Sequence, residues 1–512
     1  MTSRQGSSGP ANYNAERDAL KGSFNAGRLA TAEAREAVLA SIVKMFEENV
    51  EEATAALMAD LGRPMGEAQG ECMVIIREAK DISAKIKTWM AAERKDVHLL
   101  VLPAEAAVRR SPFGTVLIVA PYNYPLVLLF EPLIGAIAAG NTAMVKPSEL
   151  TPASAEFLAR KMPKYISPDV CRVVTGGVDV STALLATKWD FIYFTGSPRV
   201  GQIVAKAAAE HMTPTALELG GKAPCLIDQS APLRESARRI INTKAINAGQ
   251  TCMAPDYLLV HEAHHADFLA ALQAEMKEQF GDEPIRSKDF GRMCTTSHYD
   301  RMVELLAKAG GKQIRIGAAG PDRATKYMPL TLVDGPTVGS PILKEEIFGP
   351  LLPVLTYASL AEAVKLIQSI DPTPLALYVF SADETVAETL LSEVQSGTVV
   401  VNDCYLHHIC HTLPFGGVGT SGYGVCHGRY SFETFTYQRA VLWRNATLDI
   451  DMTIPLPVRH CSAADKWMLR PKLLSLLLLY GPYVSIPRRR HLVLALVAIV
   501  SLFLYRKYSA IV

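Results

Sequence analysis

The chain has 512 residues, 49% of them hydrophobic, enough to fill a large core and to exclude general disorder. Its 52 basic and 51 acidic residues leave a formal net charge of +1, without the basic excess that a nucleic-acid partner would call for. Nine cysteines are spread thinly, with no repeated C-x-x-C and no disulfide framework, so a reducing compartment is the simpler expectation.

The first residues, MTSRQGSSGPANYNAERD, are polar and lack the apolar stretch of a secretory signal. Apolar positions at helical spacing then predict helices over Ala32 to Glu47 and Cys72 to Met90. Residues 97 to 109 read as a strand pair broken at Pro103. From Gly114 onward strands and helices alternate: strand to Ala120, helix from Leu126 to Ala139, and strand from Thr142 to Val145. A helix follows from Pro152 to Lys161, then a strand from Cys171 to Val174 and a helix from Ser181 to Lys188. A strand from Phe191 to Phe194 and a helix from Val200 to His211 complete the run. Such alternation with short loops predicts a doubly wound, mostly parallel sheet. A second α/β run covers 223 to 400, with strands near Pro224, Leu258, Ile314, Leu352 and Leu377. The turn Gly220-Gly221 sets a boundary near Leu219.

The C-terminal end differs in kind. Leu473 to Leu479 reads LLSLLLL, Arg488 to Arg490 interrupt, and Leu492 to Tyr505 form an apolar run closed by Arg506 and Lys507. As a helix those last 14 residues span about 21 Å, short of a hydrocarbon core of roughly 30 Å, but the basic flanks can snorkel. The bland reading is a buried core helix. The terminal position and the flanking cations favour a membrane anchor. The earlier apolar run either lies at the membrane surface beside the substrate entrance or forms part of that anchor.

Four short segments carry chemistry. Cys252 follows a small polar loop, Asn247 to Thr251, whose backbone N–H groups can face the sulfur and favour thiolate; most cysteines are merely inert buried thiols. Glu218, between leucines and before Gly220-Gly221, suits a carboxylate held at a cleft mouth rather than a solvated strand end. Asn123 in PYNYP lies between a strand and a helix, where open sheets place ligands, and its amide can donate to an oxyanion; its plainer role is to form a turn. Phe194 to Gly201, FTGSPRVG, is a strand entering a glycine-flanked helix start able to hold a phosphate, a weak signal when taken alone.

Together these segments resemble aldehyde dehydrogenases. PYNYP, KPSEL, FTGSPRVG, LELGGK, GQTC, EEIFGP and PFGGVG occur in that family's order and spacing, over roughly residues 15 to 445. IGAIAAGN, TPTALELGGK at 213–222 and APDY after Cys252 look most like the class 3 branch. The apolar C-terminus resembles its membrane-bound fatty aldehyde dehydrogenases. The resemblance implies that Cys252 attacks the aldehyde and that Asn123, with the Cys252 backbone N–H, holds the oxyanion. Glu218 would activate water to hydrolyse the thioester. Lys146 and Glu149 would meet the adenosine ribose, and Gly196, Ser197, Pro198, Arg199, Val200 and Gly201 the pyrophosphate. Glu346 and Phe348 would position the nicotinamide ribose and ring. Tyr122 departs from the family, which usually has tryptophan there.

The implied fold is α/β, with a Rossmann-like cofactor-binding domain, an α/β catalytic domain, a small β oligomerisation arm and a C-terminal hydrophobic tail. Its boundaries fall at 1–218 (including arm strands near 97–111), 219–405, 406–457 for the return to the cofactor domain with the arm, and 458–512 for the tail, anchored near 491–505. The implied partners are an aldehyde, a second copy in a homodimer and a membrane. The catalytic body would face the cytosol, at the endoplasmic reticulum before the mitochondrial outer membrane or the peroxisome. The cofactor is NAD, with NADP as the alternative, since a carboxylate at Glu149 repels a 2′-phosphate. The tract CYLHHICH, with Cys404, His407, His408, Cys410 and His411, has metal-type residues, yet it falls beside the expected substrate entrance and reads as pocket lining; no metal is expected. A CoA-acylating reductase, or a membrane scaffold on the same fold, are the alternatives. Glu218 argues against the first, and the full catalytic set against the second.

Overall fold

The computed structural model describes residues 12–98, 104–444 and 483–484. The anchor near 491–505, the Leu473 to Leu479 run and Pro103 lie outside the described residues. Chain contacts divide the molecule into two units, one built from Met1–Lys87 and Pro112–Thr436, the other from Thr88–Ser111 and Tyr437–Val512.

The first unit holds two sheets. The six-stranded sheet runs in the order Gly422–Tyr423, Thr215–Leu219, Phe191–Gly196, Thr115–Val119, Thr142–Lys146, Cys171–Val173, parallel except for its first strand. The chain leaves Thr115–Val119 toward one edge and returns to build the other from Phe191–Gly196. The switch point therefore lies between these two strands, where open sheets bind ligands beyond the strands' C-terminal ends. Asn123 follows one of the two and the Gly196–Gly201 turn follows the other. The helix Val127–Ala139 packs into this layer with twelve of its thirteen residues buried, as its nearly continuous apolar sequence requires. Its end is tied down by Asn141, which accepts from Gly114 N–H at 2.8 Å and donates to the Phe435 carbonyl at 2.9 Å.

The seven-stranded sheet is ordered Lys312–Ile314, Thr331–Asp334, Leu351–Tyr357, Tyr257–His261, Pro224–Ile227, Ala376–Phe380, Thr398–Val401, again parallel except at its first strand. All five strands expected in this region are present, and Thr331–Asp334 and Thr398–Val401 are added. The N-terminal helices run further than their periodicity suggested, as Ala32–Leu61 and Met65–Met90. Asn49 leaves helical geometry with φ −133°, which shifts the apolar stripe halfway along Ala32–Leu61 and hides the continuation.

In the second unit Glu93–Lys95, Glu105–Pro112 and Thr436–Trp443 form a three-stranded sheet, while Val97–His98 pairs antiparallel with Tyr483–Val484. The strands on either side of Pro103 thus take separate partners instead of pairing with each other. Within 406–457 the arm strand begins only at Thr436, because Gly428–Thr434 is still helical.

Candidate active site

The loop before Cys252 is held by its own polar side chains. Asn247 Nδ2 donates to the carbonyls of Asn123 (2.8 Å) and Gln250 (3.2 Å), and Asn123 Nδ2 donates to the same Gln250 carbonyl at 3.1 Å. An amide nitrogen carries two hydrogens, so Asn123 keeps a second donor. Gln250 is buried; its Nε2 donates to Asn247 O and Arg292 O, each at 3.0 Å, and its Oε1 accepts from Cys294 N–H at 2.9 Å. Asn247 and Ala248 adopt left-handed backbone, φ +51° and +52°, as does Phe348 at φ +51°. Non-glycine residues held there store strain of about 1–3 kcal/mol each, and such residues gather at functional sites.

Cys252 is half-buried, packed beside Met253, Leu375, Phe415, Cys426 and Tyr405. Burial pushes its thiol up to about 12, and the carboxyls of Glu346 and Glu218 add to the rise. Its own N–H and that of Met253 pull the other way but are outweighed. The resting sulfur is therefore a thiol, not a thiolate. Glu218 is buried at the end of its strand, level with Thr195 on the neighbouring one. Neither carboxylate oxygen has a hydrogen-bond partner, and burial, with Glu131 nearby, raises its carboxyl well above the ordinary range.

Glu346 lies against the Gly220-Gly221 turn: any side chain at Gly220 would collide with its carboxylate, and the Gly221 backbone bonds to it. Burial, then Asp256, raises its carboxyl to about 8. Tyr122 stands between His298 (ring centroids 4.6 Å apart) and Phe348 (5.9 Å), so the residue in the usual tryptophan position borders the Glu346–Phe348 loop. Lys146 ends the strand beside Thr115–Val119; its buried Nζ bonds Glu149 at 2.9 Å. Burial raises the Glu149 carboxyl, but Lys146 outweighs this and leaves it lowered. Ser197 caps the helix Pro198–Glu210 and accepts from Val200 N–H at 3.4 Å. A Cβ at Gly201 would stand 2.7 Å from the Leu219 side chain, so glycine is what lets this helix start approach the sheet.

Several supports went unseen in the sequence. Lys222 forms a buried ion pair with Asp256 and donates to the carbonyls of Ile342 and Glu345, each at 2.9 Å. Asp256 accepts from Ile347 N–H at 3.0 Å, and Arg301 donates to the carbonyls of Ile347 (2.7 Å) and Glu346. These three residues hold the Glu345–Pro350 loop. A charged residue at the end of LELGGK and another after GQTC are a faint signal for Lys222 and Asp256. Arg301 has none, being one cation of an amphipathic helix. Removing one partner of a buried pair costs about 3–5 kcal/mol. Asp256→Ala should therefore lower the melting temperature and raise the cofactor KM at least several-fold. An unchanged cofactor KM would deny the pair its part in holding the loop.

The CYLHHICH tract does not gather. Cys404 is buried in the core against Cys225, His407 and His408 pack around Phe415, Cys410 is exposed, and His411 bonds Glu78. Burial lowers His407 to about 4 and His408 to about 3, so both are neutral at pH 7. Among the described residues, the metal-type atoms that do converge belong to Glu131, Cys426 and His427, none of them in the tract.

Residues 5–441 match the model of the aldehyde dehydrogenase family. The chain belongs to the aldehyde dehydrogenase family. It is 41% identical over 419 residues to the 4,4'-diaponeurosporen-aldehyde dehydrogenase of Staphylococcus aureus, covering 81% of this chain and 90% of that one. With aldehyde dehydrogenase family 3 member H1 of Arabidopsis thaliana it shares 40% identity, covering 85% and 90% of the two chains. With family 3 member B2 of Mus musculus the identity is 39%, covering 88% and 93%. The substrate-bound structure of Staphylococcus aureus AldH superposes with a TM-score of 0.85 at 37% identity, covering 90% of this chain and 99% of that one. An NAD-dependent aldehyde dehydrogenase from Sinorhizobium meliloti gives a TM-score of 0.76 at 26% identity, covering 87% and 88%.

This aldehyde dehydrogenase accordingly oxidises an aldehyde with a nicotinamide dinucleotide. Its residues fit that cofactor. The helix start at Ser197 lies close to the sheet, Lys146 and Glu149 stand at a strand end two places along the same sheet, and Glu346 Oε1 is a buried acceptor without a partner.

Proposed function

We propose that this aldehyde dehydrogenase oxidises medium- or long-chain fatty aldehydes to their acids, with NAD preferred over NADP, as a homodimer held to a membrane by its C-terminal tail. The observation that carries the substrate reading is the apolar wall at the sulfur, Met253, Leu375 and Phe415 with Tyr405. The Staphylococcus aureus relative named for a diaponeurosporen-aldehyde supports a long apolar substrate.

In this reading the Cys252 thiol first loses its proton to solvent water, and the thiolate sulfur then bonds to the aldehyde carbon. The free hydrogen of Asn123 Nδ2 and the Cys252 N–H take the developing negative charge on oxygen. Bound nicotinamide supplies the hydride acceptor. Glu346 and Phe348 hold its ribose and ring, the turn Gly196–Gly201 its pyrophosphate, and Lys146 with Glu149 the adenosine ribose. A thioester remains on Cys252. Glu218 takes a proton from water as the water oxygen attacks the acyl carbon, and the carbon–sulfur bond breaks to release acid. An anionic Glu149 disfavours a 2′-phosphate, which is why NAD is preferred. The arm strand Thr436–Trp443 exposes Leu442 and Trp443, an edge suited to a second copy.

Among the described residues no helix is long and apolar enough to cross a membrane, so the anchor rests on the sequence of 491–505. The catalytic body faces the cytosol, at the endoplasmic reticulum in preference to the mitochondrial outer membrane or peroxisome.

A chain-length series tests the substrate. Each buried methylene contributes about 0.8 kcal/mol, or about fourfold in kcat/KM, so the value should climb steeply beyond short aldehydes before it levels. A flat series sinks the fatty-aldehyde reading. Deleting residues 491–512 should release the protein from membranes and spare short substrates. Deleting 471–512 should also weaken long-chain turnover relative to short. Membrane association that survives the first deletion refutes the anchor; an unaltered long-to-short ratio after the second refutes the entrance role.

A further inference from the structure

The two loops that carry the reaction come from distant parts of the chain, and one short stretch, 63–71, holds them both. Asn123 lies between the strand Thr115–Val119 and the helix Val127–Ala139, whereas Cys252 follows the loop Asn247 to Thr251. The start of Val127–Ala139 has no cap of its own, because Leu126 offers no polar side chain there. Glu71, from the helix Met65–Met90, supplies one. Its Oε1 accepts from the N–H groups of Leu126 at 2.8 Å and Val127 at 2.9 Å. Arg63 pairs with the other oxygen of Glu71 and lays its guanidinium over the Tyr124 ring, with Cζ 4.2 Å from the centroid. Both members of the pair are buried. One turn before Glu71, Glu67 stands 3.8 Å from Arg63 Nε and accepts from Asn247 N–H at 2.9 Å. Asn247 is the residue held at φ +51° in the nucleophile loop. Tyr124 closes the circle, since its hydroxyl and that of Thr251 share a hydrogen bond of 2.8 Å.

A buried ion pair is weak support for stability, because apolar residues of similar volume would often serve as well. What it adds here is direction. A carboxylate can accept from two backbone donors and a guanidinium at once, and negative charge is favoured at a helix N-terminus. The reaction needs that direction. When sulfur bonds to the aldehyde carbon, an electron pair of the carbonyl moves onto oxygen, and the donors must already stand where that charge forms. A misplacement of about 1 Å can cost about 10²-fold in rate. The bond from Asn123 Nδ2 to the Gln250 carbonyl ties the two loops to each other, and the stretch 63–71 fixes each of them from outside.

We propose that Glu71, held by Arg63, is a positioning residue that sets the Asn123 amide against the Cys252 sulfur, with Glu67 fastening the nucleophile loop to the same helix start. This rests on Asn123 being an oxyanion donor. Glu71 reaches the reacting atoms only through the backbone that carries Asn123. Its two backbone bonds fall three and four residues beyond that asparagine, so a shift of the helix start carries the amide with it. Arg63 acts one step further back, through Glu71 on one side and the Tyr124 ring, next to Asn123, on the other.

The test uses the full-length enzyme. Glu71→Gln keeps the shape but turns an NH2 group toward either Arg63 or the two backbone donors, so the helix start must move. Arg63→Lys keeps the charge and loses the planar fork and the ring contact; it carries the test if Glu71→Gln does not fold. The rate of the NADH burst and steady turnover should both fall, by about 10–100-fold in Glu71→Gln and by less in Arg63→Lys. Cofactor binding and alkylation of Cys252 by iodoacetamide should stay within about twofold of the parent, since displacement of iodide builds no oxyanion. Asn123→Ala should itself be slowed by about 10²–10³-fold. Adding Glu71→Gln or Arg63→Lys to it should cost no more than about twofold again, because the amide they position is gone. Turnover within about twofold of the parent in both single variants, with Asn123→Ala slowed, overturns the positioning role and leaves the oxyanion donor in place. Normal turnover in Asn123→Ala removes the oxyanion reading, and the positioning role with it. Alkylation that falls along with the burst, or a loss that recurs in full on top of Asn123→Ala, marks a general loosening of the loops and overturns the role.

Discussion

Cys252→Ala is expected to lower dehydrogenase turnover by at least about 10⁴-fold while cofactor still binds, because removing the nucleophile of a covalent mechanism removes the pathway itself. Alanine takes the place of a small, half-buried side chain packed beside Met253 and Phe415, so the loop should keep its shape. Its hydrogen bonds run through Asn247, Gln250 and Asn123, none of which uses the sulfur. Cofactor titration by fluorescence and melting temperature should match the parent. Turnover above a hundredth of the parent value would place the nucleophile elsewhere. A pH dependence follows with a definite sign. Burial, Glu346 and Glu218 push the thiol up to about 12, so at pH 7 to 9 only a small fraction is thiolate, and that fraction rises about tenfold per pH unit. Alkylation of Cys252 by iodoacetamide in the cofactor-free enzyme should therefore be slow at pH 7 and climb about tenfold per unit toward pH 9. A rate already level above pH 7 would mean a thiolate at rest. Glu346→Gln removes one of the neighbouring carboxyls and should speed the same reaction.

Glu218→Gln is expected to separate the two halves of the reaction. The amide matches the carboxylate in size, so it should fit the same buried position, but it cannot take a proton from water. Acyl-enzyme should form with a burst of NADH near one per active site, and steady turnover should fall about 10²–10⁴-fold, the usual contribution of a general base. Loss of the burst together with turnover would instead assign Glu218 to activating the Cys252 thiol. The parent enzyme supplies the complementary pH signature. A base whose carboxyl is raised by burial and Glu131 loses function as pH falls through that raised value, so deacylation should weaken on the acid side. The acid limb should disappear in Glu218→Gln.

The sequence by itself determined a good deal of this enzyme. Strand–helix alternation over 114 to 211 and 223 to 400 is a local property, because a buried parallel strand needs a short β-branched run and its crossover helix needs an apolar stripe. Those demands placed Thr115–Val119, Thr142–Lys146, Phe191–Gly196 and Ala376–Phe380 within a few residues. Motif order was equally legible. Asn123, Gly196–Gly201 and Glu218 each fall at the C-terminal end of a strand or just beyond it, where the sheet brings them together. Tertiary structure alone decided the rest. The partner of Val97–His98 and one of the two partners of Glu105–Pro112 are strands far away in the chain, and pairing across such distances leaves no local trace. Lys222 finds Asp256 and Arg301 finds the Glu346 carbonyl only after folding, so the loop that carries Glu346 and Phe348 is held by charges whose neighbours in sequence say little. The protonation state of Cys252 belongs to the same class. The backbone N–H groups that favour thiolate belong to Cys252 and the next residue, Met253, whereas the burial and the two carboxyls that outweigh them arrive from other strands and loops, and burial is a property of the whole packed molecule.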